Sequence, residues 1–330
     1  MSMSKAYELI SKRRLVGGPY DAYRGMTPLR YPWAHEIWTQ MLANTWFPTE
    51  VNLLDDRKRY DTLDQGSRIA YDRALSFLAN LDAIQVENLS RNIVSIITAP
   101  EVARCINRQL YEEELHVTSY STMIESISMD PEEIYFMPLE DKILEQKNDF
   151  ILRQARHIND DKTELSILLA MVSNVILEGI YFYSGFATFY TLARAGNMIG
   201  SSNMIKFIQR DEEVHLELFL NMIRSYMLEI GRDITDFETE IKDLFTGAVA
   251  LETAWGKHII EKGVIGLTDG IVTDYIGYLA DDRLKRMGLD PIYGVKNPIP
   301  WVDKFSKINV ASTSYFEVKP TDYAKGGVVW

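Results

Sequence analysis

INRQLYEEELHVTSYSTMI, residues 106–124, and IKFIQRDEEVHLELFLNMI, residues 205–223, carry one pattern twice. Each holds a Glu-x-x-His step, Glu113 to His116 and Glu212 to His215. In the first stretch Ile106, Leu110, Glu113, His116, Tyr120, Met123 and Ile124 follow steps of three and four. In the second, Ile205, Ile208, Glu212, His215, Phe219 and Met222 do the same. Such steps return to one face of an α-helix. Acid and imidazole therefore share the apolar face of each helix and point inward together.

Two more acids sit in apolar surroundings. Asp82 lies in the stripe Ala74, Leu78, Leu81, Asp82, Gln85. Glu178, between Val175 and Phe182, is the single charge in residues 165–193. An unpartnered ionised carboxylate in a core costs several kcal/mol, or takes up a proton. Four in one core demand compensating positive charge. Two divalent cations balance them, and two neutral imidazoles complete the shells. Oxygen and imidazole donors without thiolate suit iron or manganese. One Glu-x-x-His arises readily on a surface helix. Two on apolar faces, with two lone inner acids, do not, because buried unpaired charge is rare. The neighbouring Glu112, Glu114, Glu213 and Glu217 are expected to be solvated or to support the ligands from outside.

The rest of the sequence narrows the class. Of 330 residues, 46% are hydrophobic and 25% charged, enough for a large core. The net charge of −12 and the lack of a basic stripe argue against nucleic acid or an anionic membrane as partner. Cys105 is the only cysteine, which fits a reducing, cytoplasmic setting. The first residues, MSMSKAYELISKRR, lack a signal-peptide core. Residues 165–193 are long enough to cross a bilayer. They contain Ser166, Ser173, Asn174 and Ser184 and have no basic cluster at either flank, so they are expected at the centre of a bundle.

Helical periodicity recurs along the chain, with no strand-like alternation of any length. Helices are predicted near 31–45, 63–87, 99–128, 139–158, 163–193, 202–230, 236–262 and 268–287. Thr62-x-x-Gln65, Thr98-x-x-Glu101 and Thr235-x-x-Glu238 read as capping boxes, and Gly231 and Gly288 as helix stops. Residues 1–30 read as an arm. Residues 288–330, with Pro291, Pro298, Pro300, Pro320 and Gly326-Gly327, read as an irregular tail. The expected architecture is one all-α domain over 31–287. The ligand pattern resembles that of ferritin-like di-metal bundles, in which two helices give an acid each and two give Glu-x-x-His.

Several blocks also resemble the radical-generating small subunit of class I ribonucleotide reductase. They are LDAIQ around Asp82, EELHVTSY from Glu113 to Tyr120, LEGIYFYSGF around Glu178, and QRDEEVH up to His215. The resemblance runs roughly from Trp46 to Tyr323. It implies that Asp82, Glu113 and His116 hold one metal and Glu178, Glu212 and His215 the other, with Glu113 and Glu212 bridging. It implies a radical on Tyr120, shielded by Phe182, Phe186 and Ile208. Trp46, in WFPTEV, and Asp211 match the radical-transfer route to His116, with Arg210 structural beside it. Tyr323, in YFEVKPTDY, matches the interfacial tyrosine, and Glu317 resembles a nearby functional acid. The implied activity is oxygen-dependent formation of the Tyr120 radical, which passes to a large catalytic subunit to start ribonucleotide reduction. Di-iron is the expected cofactor. Manganese and mixed manganese–iron share these ligand types, and manganese would call for a flavoprotein activator. A homodimer is also implied. The chain departs from the family at its end, where only Ala324 to Trp330 follow Tyr323.

Two other readings use the same acids. An R2-like ligand-binding oxidase, or another carboxylate-bridged oxygenase, would need the metals but not Trp46, Tyr120 and Tyr323 as a set. A ferritin-like storage protein would need no aromatic relay. The lone cysteine and the lack of a Gly-rich phosphate loop mean that this chain should not reduce nucleotides by itself.

Overall fold

Four helices surround the acids. In a computed structural model describing residues 3–19, 28–147, 149–150, 153 and 161–305, they are Gln65–Asn88, Pro100–Ile127, Glu164–Ile176 and Ile199–Ile230. Gln65–Asn88 packs along Pro100–Ile127, and Ile199–Ile230 packs along Glu164–Ile176. Pro32–Ala43, Tyr183–Arg194, Glu238–Ile259 and Asp269–Met287 wrap this core. Among the described residues the only β pairing is two isolated bridges, so the all-α reading holds.

The helix starts differ from the capping boxes expected at threonine. Asp64 caps the first core helix, accepting from Ser67 N at 2.9 Å, while Thr62 Oγ1 donates back to Arg59 O at 2.8 Å. Thr98 Oγ1 donates to Arg14 O at 2.8 Å, so Ala99 stands at the N-cap and Pro100 opens the helix. Asp233 accepts from Thr235 N at 2.9 Å in the place expected for Thr235. A nearby carboxylate is the stronger acceptor for helix amides, and a threonine hydroxyl readily satisfies itself on a local carbonyl. Gly231 and Gly288 do end their helices, with φ of 68° and 92°.

Other boundaries moved. Pro131–Glu140 is helical, and the helix expected from 139 starts at 142, after a break at Asp141. Asp141 accepts from Ile143 N at 2.9 Å and Leu144 N at 3.2 Å, restarting the helix as a cap. Leu54–Tyr60 and, within the expected arm, Met3–Ser11 are further helices, and Leu15 is buried. The helix expected over 163–193 is interrupted by a π turn at Leu177–Tyr181, which contains Glu178. A second π turn, Leu89–Ile93, follows the Asp82 helix. Such turns insert one residue into an α-helix and often mark functional sites. The apolar stretch Glu164–Arg194 is mostly buried inside the bundle, as its composition predicted.

The start of the Asp82 helix fits closely against a neighbouring turn. A Cβ at Gly66 would stand 2.1 Å from Gly263 O and 2.6 Å from Lys262 O. Both are backbone atoms that cannot rotate aside. Gly66→Ala is therefore expected to destabilise the chain by about 1–3 kcal/mol, read as a lower melting temperature by circular dichroism. Gly270→Ala, whose Cβ meets nothing closer than Thr268 Oγ1 at 3.9 Å, is expected to leave melting unchanged or raise it slightly.

Candidate metal centre

The six residues singled out by pattern come together in the bundle interior, each with no exposed surface. Their donor atoms form two groups, Asp82–Glu113–His116–Glu212 and Glu113–Glu178–Glu212–His215, with the atoms of each group within 4.8 Å of one another. Glu113 and Glu212 belong to both groups, the position a bridging ligand needs. His116 Nδ1 lies 3.0 Å from Glu212 Oε1 and 3.5 Å from both Asp82 Oδ2 and Glu113 Oε2. His215 Nδ1 lies 2.9 Å from Glu212 Oε2, 3.3 Å from Glu113 Oε1 and 3.5 Å from Glu178 Oε2. Both imidazoles thus turn Nδ1 into the cluster of acids.

The donor set fits metal. Asp82 Oδ1 and Oδ2, Glu113 Oε2, Glu178 Oε2, Glu212 Oε1 and His116 Nδ1 are buried with no hydrogen-bond partner. Buried polar atoms are almost always satisfied, and each orphan costs about 1–3 kcal/mol. Six among the residues of these two groups are explained by cations. The charge balance says the same. Burial drives the Asp82 and Glu178 carboxyls well above the usual range, and neighbouring acids add to it. Burial opposes charge on His116 and His215 too, but the surrounding carboxylates overcome it and hold both well above the usual imidazole value. Glu212 is pushed up by burial, yet both histidines together hold it well below the usual range. Without metal, protons take the place of cations.

The outer nitrogens are held by a second pair of acids. His116 Nε2 makes a long 3.5 Å contact with Asp211 Oδ2, and that same oxygen accepts the Trp46 indole N–H at 2.7 Å. Trp46 also stacks near His116, with ring centroids 6.4 Å apart, and on Phe207 at 5.1 Å. Arg210 lies on Asp211 Oδ1, 3.3 Å away. On the other side, His215 Nε2 meets Glu112 Oε2 at 3.0 Å, and Arg108 Nε donates to Glu112 Oε1 at 3.0 Å. A carboxylate behind a metal-binding imidazole fixes its tautomer and orientation. The sequence reading left Glu112 undistinguished among its neighbours. Its signal was Arg108 one turn earlier, a guanidinium placed to pair with an inward acid. Gln109 was missed. Its amide donates to Glu113 Oε1 at 3.0 Å and Glu178 Oε1 at 2.8 Å, and Gln85 also donates to Glu178 Oε1.

Tyr120 is fully buried and its hydroxyl has no partner. Burial, then the charges of Asp82, Glu212 and Glu113, hold its phenol well above the usual value, so it stays protonated. Phe182, Phe186 and Ile208 are buried as well. Tyr323 and Glu317 lie outside the described residues.

A family model for the ribonucleotide reductase small chain matches residues 24–298. The chain belongs to that family. The ribonucleoside-diphosphate reductase subunit beta of Treponema pallidum is 37% identical over 328 residues, covering 97% of this chain and 93% of the relative. The ribonucleotide reductase R2 subunit from Clostridium botulinum superposes with a TM-score of 0.86 at 38% identity, covering 90% of this chain and 95% of that one. A putative class I ribonucleotide reductase from Bacillus halodurans gives 0.79 at 31% identity, covering 83% and 100%. This small chain therefore has the ferritin-like helical fold and a di-metal site of carboxylates and histidines. Membership of the family also implies a large-subunit partner.

The excess of acids makes the metal-free small chain sensitive to pH. Asp82, Glu178, His116 and His215 all have raised folded values, so their contribution is full below the unfolded values and is lost as pH rises through the folded ones. Glu212, shifted the other way, contributes constantly above the usual carboxylate range. The melting temperature of metal-free protein is expected to fall as pH rises above the ordinary carboxylate range, and to fall further above the ordinary imidazole value. Loading with manganese or iron should flatten that slope, because the cations replace the protons.

Proposed function

We propose that this chain is the small subunit of a ribonucleoside-diphosphate reductase, in which Tyr120 carries an oxidising equivalent that starts reduction of ribonucleotides on a separate large subunit. The observation that carries the reading is the shared oxygen of Asp211, which joins Trp46 to His116 at the edge of the acid cluster. An oxygenase or a storage protein has no use for an indole wired to a ligand histidine.

In this reading Asp82, Glu113 and His116 hold one metal, and Glu178, Glu212 and His215 the other. When bound, the metal pair supplies the redox chemistry with dioxygen or a reduced oxygen species. Iron is the proposed metal. The same donors accept manganese or a mixed pair, in which case a flavoprotein activator is the expected further partner.

The chain's own residues divide the remaining work. Asp211 and Glu112 orient the two imidazoles through their Nε2 atoms. Gln109 and Gln85 pin Glu178 Oε1 and leave Oε2 turned toward the cluster. Tyr120 gives up an electron and its Oη proton. Its dry pocket, lined by Phe182, Phe186 and Ile208, slows quenching by excluding water. Trp46, with its N–H held by Asp211, receives the oxidising equivalent on the way out, and Tyr323 passes it to the large subunit. Residues 31–287 form the radical-generating body, with 1–30 as an arm and 288–330 as the tail toward the large subunit. The active form is proposed to be a cytoplasmic homodimer.

Electron paramagnetic resonance on the purified chain, loaded with iron or manganese and exposed to oxygen, tests this. A tyrosyl signal is expected with about two metals per chain. Tyr120→Phe is expected to abolish the signal and keep the metals. A tyrosyl signal surviving that substitution would sink the assignment. Asp211→Ala is expected to retain a radical while lowering turnover with the large subunit by about 10–100-fold.

A further inference from the structure

A π turn leaves backbone groups that the regular α ladder would have satisfied. The turn Leu177–Tyr181 is buried inside the bundle, where water cannot supply partners. Three side chains from outside the four-helix core do so. Arg283, from Asp269–Met287, donates Nε–H to Gly179 O at 3.2 Å. Lys147 donates Nζ–H to Tyr181 O at 3.1 Å. Glu252, from Glu238–Ile259, accepts the Ser184 amide on Oε1 at 3.2 Å just past the turn.

Lys147 and Glu252 are paired with each other, and both are completely buried. The ammonium also sits 3.5 Å from the centre of the Phe77 ring and 4.7 Å from that of Tyr181. A dry ion pair of this kind seldom stabilises a fold more than apolar side chains of the same volume would. Its placement on one freed carbonyl and one freed amide gives it a different purpose. The fit at Gly179 points the same way. A Cβ there would stand 2.9 Å from Arg283 Nε and 3.1 Å from Arg283 Cγ, so the glycine leaves room for the guanidinium.

We propose that Lys147, Glu252 and Arg283 are positioning residues that clamp the π turn and thereby hold Glu178 at the metal site. The proposal rests on the reading of Glu178 as a metal ligand. Released from the clamp, the turn can revert to α register. That slip rotates Glu178 relative to the Phe182–Phe186 face by about 100°, the angle one residue spans on a helix. The metal ligand and the apolar wall around Tyr120 would then no longer be set for each other.

The test uses the full chain and two readouts that need no turnover. The first is amide hydrogen exchange in the metal-free protein. In Lys147→Met and in Glu252→Gln, residues 177–184 are expected to exchange about tenfold faster or more, with the Pro100–Ile127 and Ile199–Ile230 helices unchanged. The second is a manganese(II) titration followed by the resonance signal of free ion. One of the two ions is expected to bind about 10–100-fold more weakly, the other much less so. Wild-type exchange at 177–184 would overturn the proposal. So would an equal rise in all four helices together with a lower melting temperature, the mark of a purely structural pair. Should Lys147→Met not fold, Gly179→Ala pushes directly on Arg283 and is expected to give the same local result, with the same outcomes overturning it. Glu178→Ala separates the two readings. If it binds both ions as wild type does, Glu178 is not a ligand, whatever the exchange result says about the clamp.

Discussion

Four carboxylates in a water-free core are the constraint on which the rest of this structure depends. Each unpaired buried charge costs several kcal/mol, and a folded domain has only about 5–15 kcal/mol in hand. Asp82, Glu113, Glu178 and Glu212 cannot all stay ionised there without help. The fold answers with two histidines turned inward through Nδ1, two amides on Glu178, and a geometry that leaves six polar atoms unpaired. Cations complete the arrangement. The surrounding layers follow from that need: long apolar helices exclude water, and arginines at Glu112 and Asp211 compensate the acids that hold the histidines.

Much of this could be read from residue order because it repeats with the helical period. Glu113 and His116, and Glu212 and His215, are three residues apart on apolar stripes, so their faces were determined before any tertiary contact was known. Asp82 and Glu178 stood out because each was a lone charge in an apolar run. The less regular features were harder to read. The π turn at Leu177–Tyr181 has no periodic mark, since it is one extra residue accommodated by tertiary partners far away in sequence. Glu112 looked like any acid of an acidic triplet until packing turned it toward His215. The capping boxes failed because Asp64 and Asp233 cap their helices at other amides, Ser67 N and Thr235 N, while the Thr98 hydroxyl is spent on Arg14 O.

The two halves of the centre are alike in plan and unlike in what lies behind them. Behind His215 the path is Glu112 and then Arg108, whose guanidinium lies over the Tyr111 ring, 4.6 Å from its centre. Behind His116 it is Asp211 and then an indole, itself stacked on Phe207. The pseudo-symmetry of the two Glu-x-x-His helices is thus broken one layer outside the ligands, where the carboxylate binds an indole N–H on one side and a guanidinium on the other.

Asp211 Oδ2 serves two ring nitrogens at once, at 2.7 Å from Trp46 and 3.5 Å from His116. One oxygen therefore carries both contacts, and any displacement of the carboxylate is felt by the imidazole and the indole together. A shift of His116 that carries the carboxylate with it changes the hydrogen bond on the indole as well. The edge of the buried acid cluster and the indole outside it are in this way linked mechanically through a single atom.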